Sequence, residues 1–147
     1  MSGRYTLAMI KPDAVEGGKG GRILAGIEDR GFAIRAMRLI RMTRGEAEAF
    51  YQVHRGRPFF DELVAFMSSG PTIVLALEKA DAVAAWRNAI GATDPGEAAP
   101  GTIRRDFAES KGRNAVHGSD SEPNAAREIA FFFPERELAH LGVTFPS

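Results

Sequence analysis

Apolar residues recur along this chain in two rhythms, and each rhythm marks a kind of element. Tyr5 to Ile10 is a short apolar run closed by Lys11-Pro12, which predicts a central strand. Thr72 to Glu78 is the clearest strand, because Ile73, Val74, Leu75 and Leu77 leave it apolar on both faces. Phe32 to Met42 sets Phe32, Ile34 and Ala36 against Arg35, Met37 and Arg41, so it predicts a strand with two unequal faces. Asn114 to His117 predicts the last strand. Helical spacing fills the gaps. Ile23, Leu24 and Ile27 share one face of a helix from Arg22 to Arg30 that Gly31 would stop, although Gly26 inside it costs about 1 kcal/mol against alanine. Thr43 with Glu46 forms a capping box opening a helix towards His54. A helix over Phe60 to Ser69 halts at Gly70-Pro71, and Asp81 is expected to cap one that ends near Ile90-Gly91.

Thr102 to Phe107 predicts a helical turn. Ser121 can cap a helix from Glu122 to Phe132, with Ala125, Ile129 and Phe132 facing inwards. Gly17 to Gly21 and Ala92 to Gly101 are loops, and Pro134 to Ser147 predicts a short helix with an extended end. Strands separated by helical crossovers predict an α/β sandwich, with helices packed on an otherwise bare sheet. One domain over residues 1–147 accounts for the length.

Composition narrows the chemistry. Lys plus Arg and Asp plus Glu each total 19, so no global field favours nucleic acid and any anion site must be local. The absence of cysteine excludes disulfides, thiolate catalysis and cysteine zinc sites. Thr6 to Ile10 is too short for a signal peptide, and Ile73 to Leu77 is too short to span a bilayer. A cytoplasmic enzyme or binding domain with no membrane partner is the expectation.

The most informative residue is His117, in Asn114-Ala115-Val116-His117-Gly118-Ser119-Asp120-Ser121. An apolar pair precedes it and a polar cluster follows, the pattern of a strand end delivering a side chain into a helix-opening turn. Imidazole titrates near neutrality and is one of the groups that forms covalent intermediates. Lys11, Arg87 and Arg104 come from separate segments. Each alone reads as a solvated surface cation, Lys11 by snorkelling. Together they are what a polyphosphate site needs, since both cation types stabilise a transferring phosphoryl group. Lys11 and Arg104 are expected to act on that group and not on stability. No Walker motif is present, because Gly20 follows Lys19 where Ser or Thr is required. Phosphate would have to be held by side chains.

Ala8-Met9-Ile10-Lys11-Pro12-Asp13-Ala14-Val15 resembles the N-terminal strand of nucleoside diphosphate kinases, and the histidine octet resembles their active-site signature. Arg57-Pro58-Phe59-Phe60, Ser69-Gly70-Pro71, Gly91-Ala92-Thr93-Asp94-Pro95 and Pro100-Gly101-Thr102-Ile103-Arg104 match in order between them, so the resemblance covers about residues 4 to 133. It implies a ferredoxin-like βαββαβ core with a four-stranded antiparallel sheet. It also implies a ping-pong transfer of the γ-phosphoryl group from a nucleoside triphosphate through His117 to a nucleoside diphosphate. By the same resemblance Lys11, Tyr51, Arg87, Thr93, Arg104 and Asn114 contact phosphates or ribose, Phe59 stacks on the base, and Glu128 with Ser119 orients His117. Mg²⁺ would arrive on the nucleotide phosphates, near Asp120. A stacking ring accepts any base, because every base has a π-face. Phe59 and Phe60 are expected to part, one outwards and one into the core. His54 and His140 receive no role.

The chain departs from the family pattern at Gly17 to Gly21, Arg22, Arg105 and Lys111, the last where an apolar residue often lies against the base. Two other classes stay open on the residues alone: a scaffold that has kept the fold without catalysis, and a hydrolase using Ser119 or Ser121. The resemblance further implies a homo-oligomer, tetramer or hexamer. The small-residue loop Ala92 to Gly101, with little to fold upon by itself, and Phe131, Phe132, Phe133 and Phe145 favour association.

Overall fold

A computed structural model describes residues 3–140. Four strands, β1 (Tyr5–Ile10), β2 (Ala33–Ile40), β3 (Thr72–Glu78) and β4 (Val116–Gly118), form one sheet in the order β2-β3-β1-β4. Every neighbouring pair is antiparallel. The helices are α1 (Pro12–Glu16), α2 (Gly20–Asp29), α3 (Arg44–Phe50), α4 (Phe60–Met67), α5 (Ala82–Ile90), α6 (Ile103–Phe107), α7 (Glu122–Phe132) and α8 (Glu135–His140), with a 3₁₀ turn at Gln52–His54. That order and pairing give the ferredoxin-like βαββαβ arrangement.

Helices cover both faces of the sheet. Leu7 and Met9 of β1 and Val74 and Ala76 of β3 enter one core, with Phe50 of α3, Val64 and Met67 of α4 and Ile129 of α7. Ala8 and Ile10, with Leu75 and Leu77, enter the other, against Ile23 and Ile27 of α2, Trp86 and Ile90 of α5 and Ile103 of α6. Period-2 alternation within strands that are apolar throughout demands two covering layers, and the two inner strands, β1 and β3, are of that kind.

Other boundaries moved for identifiable reasons. A β-bulge between Ile34 and Ala36 breaks the expected alternation of β2. Ile34 therefore packs with the second core and Ala36 with the first. One extra residue flips every later side chain to the opposite face. The first loop is shorter than expected, since α1 occupies 12–16 and α2 starts at Gly20. Pro12 at the first helical position has φ already set for a helix, a start signal hidden inside the Lys-Pro-Asp motif. Asp81 stands before α5 in the left-handed region (φ 52°) and makes no side-chain cap. Phe133 is buried, not an exposed contributor to an aromatic surface, and Phe132 is partly buried. Phe145 and the expected extended end lie outside the described residues.

The capping box of α3 is complete. The Glu46 amide donates to Thr43 Oγ1 at 3.1 Å and the Thr43 amide to Glu46 Oε1 at 2.8 Å. Thr43→Ala should therefore cost about 1 kcal/mol, whereas Leu75→Ala, which empties a fully buried site, should cost about 2–5 kcal/mol. Urea unfolding of the two variants beside the parent chain measures both.

Candidate active site around His117

β4 pairs beside β1 so that His117 faces Met9 in register and Val116 faces Ile10. Lys11 follows Ile10 directly, which brings the lysine and the histidine to the same sheet edge. The chain enters β4 through a tight turn. The Val116 amide donates to the Asn114 carbonyl at 2.8 Å, and Ala115 between them has φ 73°. This strand is shorter than the expected Asn114 to His117, because Ala115 in the left-handed region cannot belong to a ladder. After β4, Ser121 accepts from the Asn124 amide at 3.2 Å and opens α7.

That helix brings Glu128 back over the strand. Glu128 Oε1 lies 2.9 Å from His117 Nε2 and accepts from Ser119 Oγ at 2.8 Å. Ser119 Oγ in turn accepts from the Leu7 amide at 3.3 Å, so the relay is anchored on β1. A carboxylate at Nε2 favours the tautomer with the proton there, so that in the neutral ring the lone pair falls on Nδ1. Among the described residues Nδ1 has no hydrogen-bond partner, and His117 is half-buried. The Trp86 indole donates to the His117 carbonyl at 3.0 Å, and the rings of Phe50 and Tyr51 meet the imidazole edge-on at 5.7 and 6.5 Å between centroids. The imidazole is thus held by a carboxylate and by two rings, with its backbone tied to α5.

Positive charge is concentrated beside it. Burial first, and the neighbouring Arg104 charge second, lower the Lys11 ammonium to about 8, with Asp13 opposing both. Lys11 Nζ donates to Asn114 Oδ1 at 2.9 Å, and Asn114 Nδ2 donates to the Thr93 carbonyl at 3.3 Å. Burial also lowers Arg104, to about 10, with Arg87 as the second cause. Lys11, Arg104 and Arg87 therefore repel one another in sequence. Arg87 and Arg104, with Thr93, line an open depression of about 400 Å³, and Arg87 continues into a second beside Asp120. A row of mutually repelling cations with one buried carboxylate near it is a site prepared for a polyanion.

Arg104 has a second duty that the sequence did not show. Its guanidinium donates to the Gly91 carbonyl at 3.1 Å and to the Val116 carbonyl at 2.9 Å, tying β4 to the end of α5. The expectation that its loss would spare stability is therefore corrected. Tyr51 is buried, and its phenol, raised by burial and by the Glu128 charge, has no partner among the described residues. Phe60 is 6% exposed and Phe59 46%, parting as expected. Phe59 sits away from the histidine but is linked to it by rings: Phe59 to His54 at 5.2 Å, His54 to Tyr51 at 6.5 Å, Tyr51 to His117. His54, given no role from sequence, fills the middle of that series, and its spacing three residues after Tyr51 was the available signal.

Neither serine is a free nucleophile, since Ser119 is engaged by Glu128 and Leu7 and Ser121 caps α7. The loop from Ala92 to Gly101 does have something to fold upon. Ala98 is buried, Arg105 donates to the Ala98 carbonyl and Arg30 to that of Gly101. Lys111 is exposed.

Known proteins resemble the chain over nearly its whole length. The profile of the nucleoside diphosphate kinase family matches residues 4–138. A nucleoside diphosphate kinase of Sorangium cellulosum is 58% identical over 134 residues, covering 91% of this chain and 93% of the relative. One from Salinibacter ruber is 54% identical over 138 residues, covering 94% and 97%. Among solved structures, the Aquifex aeolicus nucleoside diphosphate kinase superposes with a TM-score of 0.89 at 48% identity, covering 91% of this chain and 97% of that one. A Halobacterium salinarum nucleoside diphosphate kinase, solved in complex with CDP, gives 0.87 at 40% identity, covering 97% and 93%.

Trp86 and Gly118 show how little slack the histidine strand has. A Cβ on Gly118 would lie 2.6 Å from Trp86 Cδ1, and the indole is fully buried with no room to retreat. Gly118→Ala should cost about 1–3 kcal/mol by overpacking. Arg104→Ala should cost a similar amount, about 1–3 kcal/mol, by leaving two carbonyls without their charged donor. Chemical denaturation of the purified variants checks both values.

Proposed function

The chain belongs to the nucleoside diphosphate kinase family, and from that premise we propose how its own residues divide the work, in one domain spanning residues 1–147. The protein is a nucleoside diphosphate kinase, a phosphotransferase working by the family's ping-pong route through a phosphohistidine. Three cations converging on a histidine whose Nε2 is already committed to Glu128 is the observation that carries the assignment of roles.

His117 Nδ1 is the nucleophile. Its lone pair bonds to the γ-phosphorus of the triphosphate as the bond from that phosphorus to the β-bridging oxygen breaks, and the diphosphate leaves. A second nucleoside diphosphate then attacks the phosphohistidine in the reverse sense, and Nδ1 regains its lone pair. Glu128 holds the Nε2 proton throughout and stabilises the charge the ring gains when Nδ1 is phosphorylated. Ser119 keeps the carboxylate aimed. Lys11, Arg87 and Arg104 offset charge on the transferring group, and Asn114, Thr93 and Tyr51 border the phosphate and ribose positions. Phe59, half-exposed at the end of the ring series, supplies the flat surface for a base of any identity.

The residues fit a magnesium ion carried by the nucleotide. Among the described residues no group of three His, Asp or Glu could hold a metal. Asp120, held below the usual carboxylate range chiefly by the Asn124 amide, lines the depression that Arg87 enters, with Asp81 and Glu122 also on its wall. One carboxylate plus substrate phosphates is a normal Mg²⁺ environment, and there the ion would neutralise phosphate charge. No helix among the described residues is long and apolar enough to cross a membrane; we propose a cytoplasmic enzyme on the family resemblance alone. Phe131, 38% exposed, and the bared Met37 and Leu39 of β2 support a homo-oligomer, tetramer or hexamer.

Incubation with γ-labelled ATP should leave an acid-labile, base-stable label on the parent chain and none on His117→Ala. A labelled alanine variant would refute the assignment. Lys11 sets the pH dependence. Its ammonium is charged below its pKa of about 8, so kcat/KM for the diphosphate should fall as pH rises through that value, and Lys11→Arg should abolish that alkaline limb. For the assembly, light scattering at micromolar concentration should give a multiple of 15.9 kDa; the monomer mass would contradict it.

A further inference from the structure

Asp13 belongs to the Lys-Pro-Asp motif but touches neither the histidine ring nor the open depressions. It is 4% exposed on α1, with one carboxylate oxygen accepting from the Ala115 amide at 3.0 Å and the other without a partner among the described residues. An ionisable group buried at such cost needs a local reason. One reason is the Lys11 ammonium, whose charge it supports; the other is the residue it holds.

Ala115 is the centre of a γ-turn, closed by the 2.8 Å bond from the Val116 amide to the Asn114 carbonyl. At φ 73° this is the rare, strained form of that turn, and a fully buried alanine adopts it without glycine's freedom. The turn separates Asn114, which binds Lys11, from His117 by two residues. Its peptide groups are pinned from both sides: Asp13 takes the Ala115 amide, and the Lys11 amide donates to the Ala115 carbonyl at 2.8 Å. Both clamps come from the segment immediately after β1, so the piece of chain that supplies the catalytic lysine also holds the approach to the histidine.

We propose that Asp13 is a positioning residue for phosphoryl transfer, its carboxylate holding the strained turn at Ala115 and thereby the direction in which β4 delivers His117. This rests on His117 being the phosphoryl acceptor. Without the carboxylate, the Ala115 amide loses its acceptor and the turn can relax to a negative φ. The strand would then enter at another angle, while Lys11, Arg87 and Arg104 still bind the nucleotide. The loss should fall on the rate at saturating substrate and spare nucleotide affinity when measured at about pH 6, where Lys11 keeps its proton even without the carboxylate that supports it.

The test uses glycine as a stand-in for the clamp, because glycine takes positive φ without steric cost. Single-turnover phosphorylation by γ-labelled ATP would be measured for the parent chain, Asp13→Ala and Asp13→Ala with Ala115→Gly. Asp13→Ala should slow phosphorylation of His117 by about 100-fold at saturating nucleotide, the scale of a misplaced reacting group, with the half-saturating concentration within about threefold. The double variant should recover at least about tenfold of that loss. An Asp13→Ala chain phosphorylated at the parental rate overturns the proposal, and so does a folded double variant no faster than Asp13→Ala. Should Asp13→Ala fail to fold, the double variant decides: folding and phosphorylation regained support the clamp, and a double variant equally unfolded overturns it. Peptide mapping separates this from the underlying assignment, since a parent chain labelled elsewhere than His117 fails the assignment itself.

Discussion

Everything in this site depends on one hydrogen bond, between His117 Nε2 and Glu128. It decides which nitrogen of the imidazole keeps its proton, and so which one can attack phosphorus. The bond needs two elements in fixed relation, the short β4 and the helix α7 that follows it. Ser121 starts that helix at the right residue, and Ile129 and Ala125 seat it in the core. Ser119 then shares its hydroxyl between Glu128 and the Leu7 amide, connecting the carboxylate to the central strand. An interaction of a few kcal/mol at most becomes decisive because the surrounding packing removes the alternatives.

The cations impose the opposing constraint. Lys11 and Arg104 are both held below their ordinary values, first by burial and then by a neighbouring positive charge. Such an arrangement opposes folding until an anion arrives, and the fold offsets it locally. Asp13 supplies one negative charge, and Arg104 gives its guanidinium protons to the Gly91 and Val116 carbonyls. The same side chains therefore serve electrostatics and architecture. A polyphosphate bound there would offset the mutual repulsion of these cations, which is a direct physical source of affinity.

Much of this was legible in the sequence, and the parts that were not have physical causes. Tyr5–Ile10, Thr72–Glu78 and the Ser121-capped helix were readable residue for residue, because apolar runs and caps are local signals. The histidine octet and its cations could be named because the chemistry limits which side chains serve. The bulge at Ile34 and Ala36 was not legible, since it is imposed by pairing with β3. Nor was the covering of both sheet faces, although the two-sided apolarity of Thr72–Glu78 pointed towards it. The left-handed Ala115 was invisible because alanine carries no mark of positive φ, and the groups bonded to its amide and carbonyl, Asp13 and the Lys11 amide, are distant in sequence. Arg104 was read as a charge alone because backbone carbonyl partners leave no trace in composition.

Which imidazole nitrogen receives the phosphoryl group is the central question. With Nε2 engaged by Glu128, the proposed mechanism puts the bond at Nδ1. Phosphorus–nitrogen coupling in an NMR spectrum of the phosphorylated, ¹⁵N-histidine-labelled protein distinguishes the two. Coupling of the phosphorus to Nδ1 of His117, with Nε2 still protonated, is the expected result. Coupling to Nε2 would mean that Glu128 does not hold the ring during the reaction, and the account of the site would be wrong.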